Sequence, residues 1–295
     1  MKQFGVLMSA HTSMRVGGPA GVFMEPESEA ELIELVRGCY DSDSPYFLLG
    51  NGSNVIVRDG GYPGAVISTL KALCGYSEKS KALSCGAGES LARACRVAAE
   101  RGLSGMEELS GIPGTVGGAV FMNAGAYDRE ISDLVIFVRA YDLIDNNIIT
   151  LSNMECGFGY RSSLFKTRPM VILSAEFELK PGVCEQIEAR MAEYTRRRNE
   201  KQPVQLPSAG SFFKRPEGSH AGKLIEAAGM KGAEIGGARV SEKHAGFIVN
   251  TGGATAADVL LLADEVKKNV KEKFEIALEE EPVIIGVETL DTGSQ

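Results

Sequence analysis

Thirty-five glycines, spread without a fixed period, constrain this 295-residue chain more than any other feature. A strict period would make a fibre, whereas clusters mark backbone that needs special dihedrals or close approach to something. The clusters are Val16-Gly17-Gly18-Pro19, Gly50-Asn51-Gly52-Ser53-Asn54, and Gly111-Ile112-Pro113-Gly114 running through Gly117-Gly118 to Asn123-Ala124-Gly125. The second supplies two glycines and three short polar side chains, so successive N–H groups can turn toward one concavity and hold a phosphate. A β-hairpin with an Asn-Gly turn explains it equally well. The third offers backbone that can lie flat against a large planar or extended ligand, with tight turns between short strands as the alternative. Together the clusters favour a dinucleotide-sized ligand. It is not held by a Rossmann fingerprint, because the third glycine is missing and a strand, not a helix, follows Asn54; nor does a G-x-x-x-x-G-K-[ST] motif occur.

Composition narrows the class. With 44% hydrophobic and 24% charged residues the chain is globular, and its length suggests two domains of about 150 residues. A formal charge of −8 argues against a phosphate-tracking surface, so no nucleic-acid partner is expected. No apolar stretch approaches the ~20 residues that cross a bilayer, and the first ten residues lack the pattern of a leader. The expectation is a cytoplasmic protein without a membrane partner. Six cysteines, at 39, 74, 85, 95, 156 and 184, form no C-x-x-C pair and read as small buried hydrophobes. His11, His220 and His244 match no ligand spacing, so no metal is expected.

Periodicity sets the elements. Ser28-Glu29-Ala30-Glu31 followed by Leu32, Leu35, Val36 and Cys39 predicts a capping box and an amphipathic helix. Residues 45–59 predict two strands joined by the Gly50–Asn54 loop. Ser90 with Leu91, Ala94, Cys95 and Ala98 predicts a second helix stopped by Gly102. Alternation over 135–143 and 170–179 predicts antiparallel strands. Residues 181–201 predict a helix, with a domain boundary at its end. Beyond come a short strand in "GSFFKRP", a helix over 222–228, a strand over 246–249, a helix over 255–273, and a last strand in "PVIIGVE". The terminal "DTGSQ" is expected to fray.

Seven ordered segments carry a resemblance: "HTSMRVGGPA" (11–20), "LLGNGSNVIVRDGG" (48–61), "LSGIPGTVGGAVFMNAGAYDREISD" (109–133), "FGYRSSLFK" (158–166), "SAGSFFKRP" (208–216), "GKLIEAAGMKGAEIGGARVSEKHAGFIVN" (222–250) and "EEEPVIIG" (279–286). In this order they resemble the UDP-N-acetylenolpyruvoylglucosamine reductase family over nearly the whole chain. Arg215 in "FFKRP" and the chain length resemble its shorter type II form, which lacks an inserted substrate-covering loop. The resemblance implies an α+β fold: an FAD-binding module of the vanillyl-alcohol oxidase/PCMH type over 1–200, with subdomains of about 1–69 and 70–200. It further implies a C-terminal α+β substrate-binding domain over 201–285, and a C-terminal strand and tail over 286–295.

It implies non-covalent FAD, NADPH as co-substrate, a UDP-sugar substrate and a monomer. Gly50, Asn51, Gly52, Ser53 and Asn54 would wrap the pyrophosphate. Gly111, Ile112, Pro113, Gly114, Gly117, Gly118, Asn123, Ala124 and Gly125 would line the flavin, which Arg15 would face. Hydride delivery to the vinyl carbon of an enolpyruvyl ether leaves carbanionic charge beside a carboxylate, which needs cations and one acid. Arg161 matches the family's arginine at that carboxylate, Ser211 its proton donor and Glu281 its second acidic group. Tyr160, Lys201, Lys214 and Lys223 are candidates for substrate contact. Tyr127 and His244 are open between ligand contact and packing. Two other readings stay open: a flavin oxidase of the same fold, and a sugar-nucleotide-binding regulator without turnover.

Overall fold

The structure is a computed structural model that describes residues 2–79 and 82–289. The "DTGSQ" tail therefore lies outside the described residues. By backbone contact the chain divides into two units that are not sequential. Unit one holds Met24–Asn51 and Ile67–Arg198; unit two holds Gln3–Phe23, Gly52–Val66 and the chain from Asn199 on. The division falls inside the helix Cys184–Lys201 and in the middle of the Gly50–Asn54 loop.

Unit one is built on a five-stranded antiparallel sheet in the order Asn147–Ser152, Val135–Asp142, Met170–Glu178, Ala82–Gly86, Tyr76–Lys79. The two strands expected from alternation are neighbours, with Val138 opposite Ala175 and Ala140 opposite Ile172. Val138, Ala175 and Phe177 are buried in alternation, whereas Met170–Leu173 are buried without a break, beside a register shift between Arg139 and Ala140. The helix Glu29–Asp41 begins where expected: Ser28 accepts the Glu31 N–H at 3.2 Å. The capping box does not close, because the Glu31 carboxylate takes the Glu27 N–H instead. The helix Leu91–Glu100 is capped by Ser90 and buries Leu91, Ala94, Cys95, Ala98 and Ala99.

One helix was not expected. Val116–Met122 contains Gly117 and Gly118, which disfavour helix by roughly 1 kcal/mol each relative to alanine. Packing overrides that propensity. Gly117 donates to the Ala87 carbonyl at 2.8 Å, and a methyl on Gly117 would stand 2.9 Å from the Ala87 Cβ. Only glycine lets the two backbones approach this closely.

Unit two packs the helices Ala221–Ala227 and Ala256–Phe274 over a three-stranded antiparallel sheet, Glu234–Ile235, Ala238–Val240 and Ile248–Asn250. Val259, Leu262, Ala263, Val266 and Val270 form the buried stripe of the long helix and share a core with Met14, Ile56, Phe212 and Phe213. The helix starts at a closed capping box between Thr255 and Asp258. Asp59 adds its carboxylate, accepting the Ala256 and Ala257 N–H groups at 2.8 Å each.

Two expectations for this unit need correction. The segment "GSFFKRP" is not a strand: Phe212 N–H goes to the Gly246 carbonyl and Lys214 N–H to the Glu279 carbonyl, with a lone bridge between Phe213 and Glu280. Partners on two different segments prevent a continuous ladder. The last strand is Val283–Ile285, parallel to Val55–Val57, and the described residues after it, 286–289, hold no strand. Gly286, at φ +92°, ends it.

Candidate active site

The loop around Gly50–Asn54 is not a hairpin turn. Its flanking strands, Tyr46–Leu49 and Val55–Val57, belong to different sheets. In unit one, Gly50 lies against Thr115, whose Oγ1 would stand 2.6 Å from an added methyl, and Asn51 is exposed. Thr115 also caps the helix Val116–Met122 by accepting the Gly118 N–H at 3.1 Å. Val116 and Gly117 donate to Glu89 and Ala87, and Gly114 accepts from Leu91, so the glycine-rich segment is fastened from one side. Gly111, Ile112, Gly114, Gly117, Ala124 and Gly125 stay half-buried, and Pro113 and Gly118 are exposed. Short or absent side chains on an anchored, accessible backbone suit the flat face of an isoalloxazine-sized group.

Asn123 closes the helix in the left-handed region, at φ +43°. Its side chain is fully used: Oδ1 accepts the Ser132 N–H at 2.9 Å, and Nδ2 donates to Gly159 O at 3.0 Å and Glu130 Oε2 at 2.9 Å. Arg161, also left-handed at φ +52°, reaches the Asn123 and Gly125 carbonyls at 3.4 and 3.3 Å. Its guanidinium lies 5.0 Å from the centre of the exposed Tyr160 ring and 3.7 Å from Glu130 Oε1. Left-handed non-glycine residues persist where surroundings hold them, and they cluster at functional sites. Arg15 is a third, at φ +58°.

Unit two gathers a second group. Glu281 N–H donates to the Phe212 carbonyl at 2.9 Å, which brings Glu281 beside the backbone that carries Ser211. Asn54 Nδ2 donates to the Glu281 carbonyl at 3.3 Å, and Val283 N–H donates to the Asn54 carbonyl. Gly52, at φ +60°, presses on the His11 carbonyl and accepts the Ser13 N–H at 3.0 Å; Ser13 Oγ donates to Ser208 O at 2.6 Å. Gly52–Asn54, the segment before Arg15, Ser211 and Glu281 thus form one hydrogen-bonded neighbourhood. Ser211 and Arg15 are exposed, while Phe212 and Phe213, directly after Ser211, are buried.

The lysines do not join it uniformly. Lys214 pairs with Glu279, whereas Lys201, at the end of its helix, and Lys223 are exposed. His244 packs: its Nδ1 accepts the Gly246 N–H at 3.1 Å, its ring meets Phe247 edge-on, and burial lowers its pKa. Tyr127 stacks on Tyr194 and donates to its carbonyl. Arg161 belongs to unit one, Ser211 and Glu281 to unit two.

Sequence reading missed Glu130, Thr115 and Arg198. The Arg198 stem crosses Gly111, with Cδ 3.0 Å from where a methyl would stand, and burial pushes its guanidinium below the usual arginine range. None of the three carries a sequence signal that separates it from a solvated charge or a turn threonine. Among the described residues no helix is long and apolar enough to cross a membrane, and no group of three His, Cys, Asp or Glu is placed to hold a metal.

Residues 20–152 match a family model described as FAD binding domain, and residues 202–285 match one described as UDP-N-acetylenolpyruvoylglucosamine reductase, C-terminal domain. A UDP-N-acetylenolpyruvoylglucosamine reductase of Clostridium novyi (strain NT) is 47% identical over 286 residues, 96% of this chain and 92% of that protein. One of Caldanaerobacter subterraneus subsp. tengcongensis is 48% identical over 279 residues, 95% of this chain and 92% of that protein. The crystal structure of UDP-N-acetylenolpyruvylglucosamine reductase from Thermus caldophilus superposes with a TM-score of 0.81 at 37% identity, covering 97% of this chain and all of that one.

Proposed function

Because the chain belongs to the UDP-N-acetylenolpyruvoylglucosamine reductase family, we propose that it reduces the enolpyruvyl ether of UDP-N-acetylglucosamine enolpyruvate to UDP-N-acetylmuramate in peptidoglycan precursor synthesis. Bound FAD supplies the hydride, taken from NADPH and passed to the vinyl carbon. Gly50–Asn54 hold the pyrophosphate, and Gly111–Gly118 with Asn123–Gly125 seat the flavin, with Arg15 facing it. Residues 201–285 bind the sugar nucleotide, with Tyr160, Lys201, Lys214 and Lys223 as its contacts. The protein works as a cytoplasmic monomer.

The observation that carries this reading is the Arg161 constellation: a guanidinium held by two carbonyls, with a glycine-rich, accessible backbone beside it. A planar guanidinium binds a carboxylate bidentately, so it suits the enediolate-like charge that follows hydride addition. Glu281 helps stabilise that charge, and Ser211 delivers the proton. A serine hydroxyl is a feeble acid, so the step needs neighbouring polar groups that favour its oxyanion transiently. The nearest anchor in the chain is the Phe212 carbonyl, which accepts the Glu281 N–H one residue after Ser211.

Ser211→Ala separates the two half-reactions. Reduction of the flavin by NADPH is expected to stay within about twofold of the wild-type rate, while reoxidation by substrate falls by at least ~100-fold, the scale of a lost general acid. Equal loss of both halves would remove Ser211 from proton transfer.

A further inference from the structure

Glu130 has no part in the assignment above, yet it contacts both Asn123 and Arg161 and pairs with Gly125. Its Oε2 accepts the Asn123 amide at 2.9 Å, and its Oε1 faces Arg161 Nη1 at 3.7 Å. Asn123 is 1% exposed, and its other contacts fix it to Ser132 and to Gly159, two residues before Arg161. Glu130 pairs in register with Gly125, whose carbonyl Arg161 also reaches. A methyl on Gly125 would stand 2.8 Å from the Glu130 Cγ, so glycine there makes room for the carboxylate to lie back toward Asn123. The Glu130 backbone is pinned as well, its N–H donating to Asp133 Oδ2 at 2.8 Å.

A partly buried ion pair as long as 3.7 Å adds little to stability. It does restrict rotation. Arg161 reaches its two carbonyls only through long contacts, and a bidentate grip on a carboxylate depends on the plane of the guanidinium. From this geometry we infer that Glu130 is a positioning residue for the reductase reaction: anchored by Asn123, its carboxylate sets the plane in which the Arg161 guanidinium meets the carboxylate of the substrate. The inference rests on the role of Arg161 proposed above.

Calorimetric titration of the oxidised, FAD-loaded enzyme without NADPH reads binding apart from turnover. Glu130→Gln keeps the shape and an acceptor for Asn123 but removes the charge facing Arg161. The dissociation constant for the enolpyruvyl substrate is expected to rise about tenfold, the effect of a lost charge-assisted contact, while UDP-N-acetylglucosamine, which lacks that carboxylate, binds as to wild type. Arg161→Lys should weaken the enolpyruvyl substrate too, and Glu130→Gln added to it should weaken it no further. Unchanged binding in Glu130→Gln with weakened binding in Arg161→Lys would overturn the inference alone. Unchanged binding in both would instead overturn the reading of Arg161. Equal weakening of both ligands by Glu130→Gln would mean a structural role only, and would also overturn it. If that variant loses flavin, Glu130→Asp, whose shorter arm misses Arg161, is measured against the same expectations.

Discussion

Gly52 shows how one residue can serve a fold while sitting in a ligand loop. Its φ of +60° lies in the region that penalises a side chain, and a methyl there would overlap the His11 carbonyl. Gly52→Ala is therefore expected to cost on the order of 3 kcal/mol, by strain and displacement of residues 11–13, and to lower the midpoint of chemical denaturation. A midpoint equal to wild type would show that the loop relaxes freely. The glycine clusters were legible as special backbone, but their causes were not. Gly50 answers to Thr115, Gly117 to Ala87 and Gly111 to the Arg198 stem, each a tertiary neighbour remote in sequence. Arg161, Ser211 and Glu281 were legible only through their motifs. Taken singly, each is an ordinary surface residue type.

Elements with a cap and a spaced apolar face read well from sequence. Ala256–Phe274 carries both, with Thr255 and Asp258 at its start and an unbroken buried stripe. Glu29–Asp41 carries the same signals, although Glu31 serves Glu27 rather than Ser28. Val116–Met122 carries neither a good propensity nor a long face, and tertiary contacts, among them those with Ala87 and the strand Met170–Glu178, make it a helix. Its one local support is the cap that the structure reveals at Thr115. Thr115→Ala should cost about 1 kcal/mol by loss of the cap, and it should also loosen Gly50. Weaker flavin retention on gel filtration at unchanged secondary structure by circular dichroism is the expected result. Full retention would detach this helix from the cofactor site.

At the scale of the whole molecule, two buried carboxylates make stability depend on acid. Burial alone would raise the Glu107 carboxyl, but Arg190, its own backbone N–H, Ser104 and Gly105 outweigh burial and hold it below the usual range. Burial would likewise raise Asp142, yet the Asp145 and Ile144 N–H groups and Arg168 hold it low. Because both are depressed in the folded state, their contribution is complete above the unfolded values of about 4.3 and 3.9. It is lost as pH falls through the lower folded values. The thermal midpoint should thus be level near neutrality and drop below about pH 4, with a shallower drop in Glu107→Gln measured against its own neutral value. A drop of the same steepness in that variant would remove Glu107 from the effect.

A chain that works as proposed carries a reducible flavin and passes its hydride to an enolpyruvyl sugar nucleotide. Anaerobic titration of the purified protein, followed by its visible spectrum, tests it most directly. The expected result is a yellow protein that NADPH bleaches and that UDP-N-acetylglucosamine enolpyruvate returns to full colour, one equivalent for one. A colourless protein, or a bleached one that this substrate leaves bleached, would contradict it.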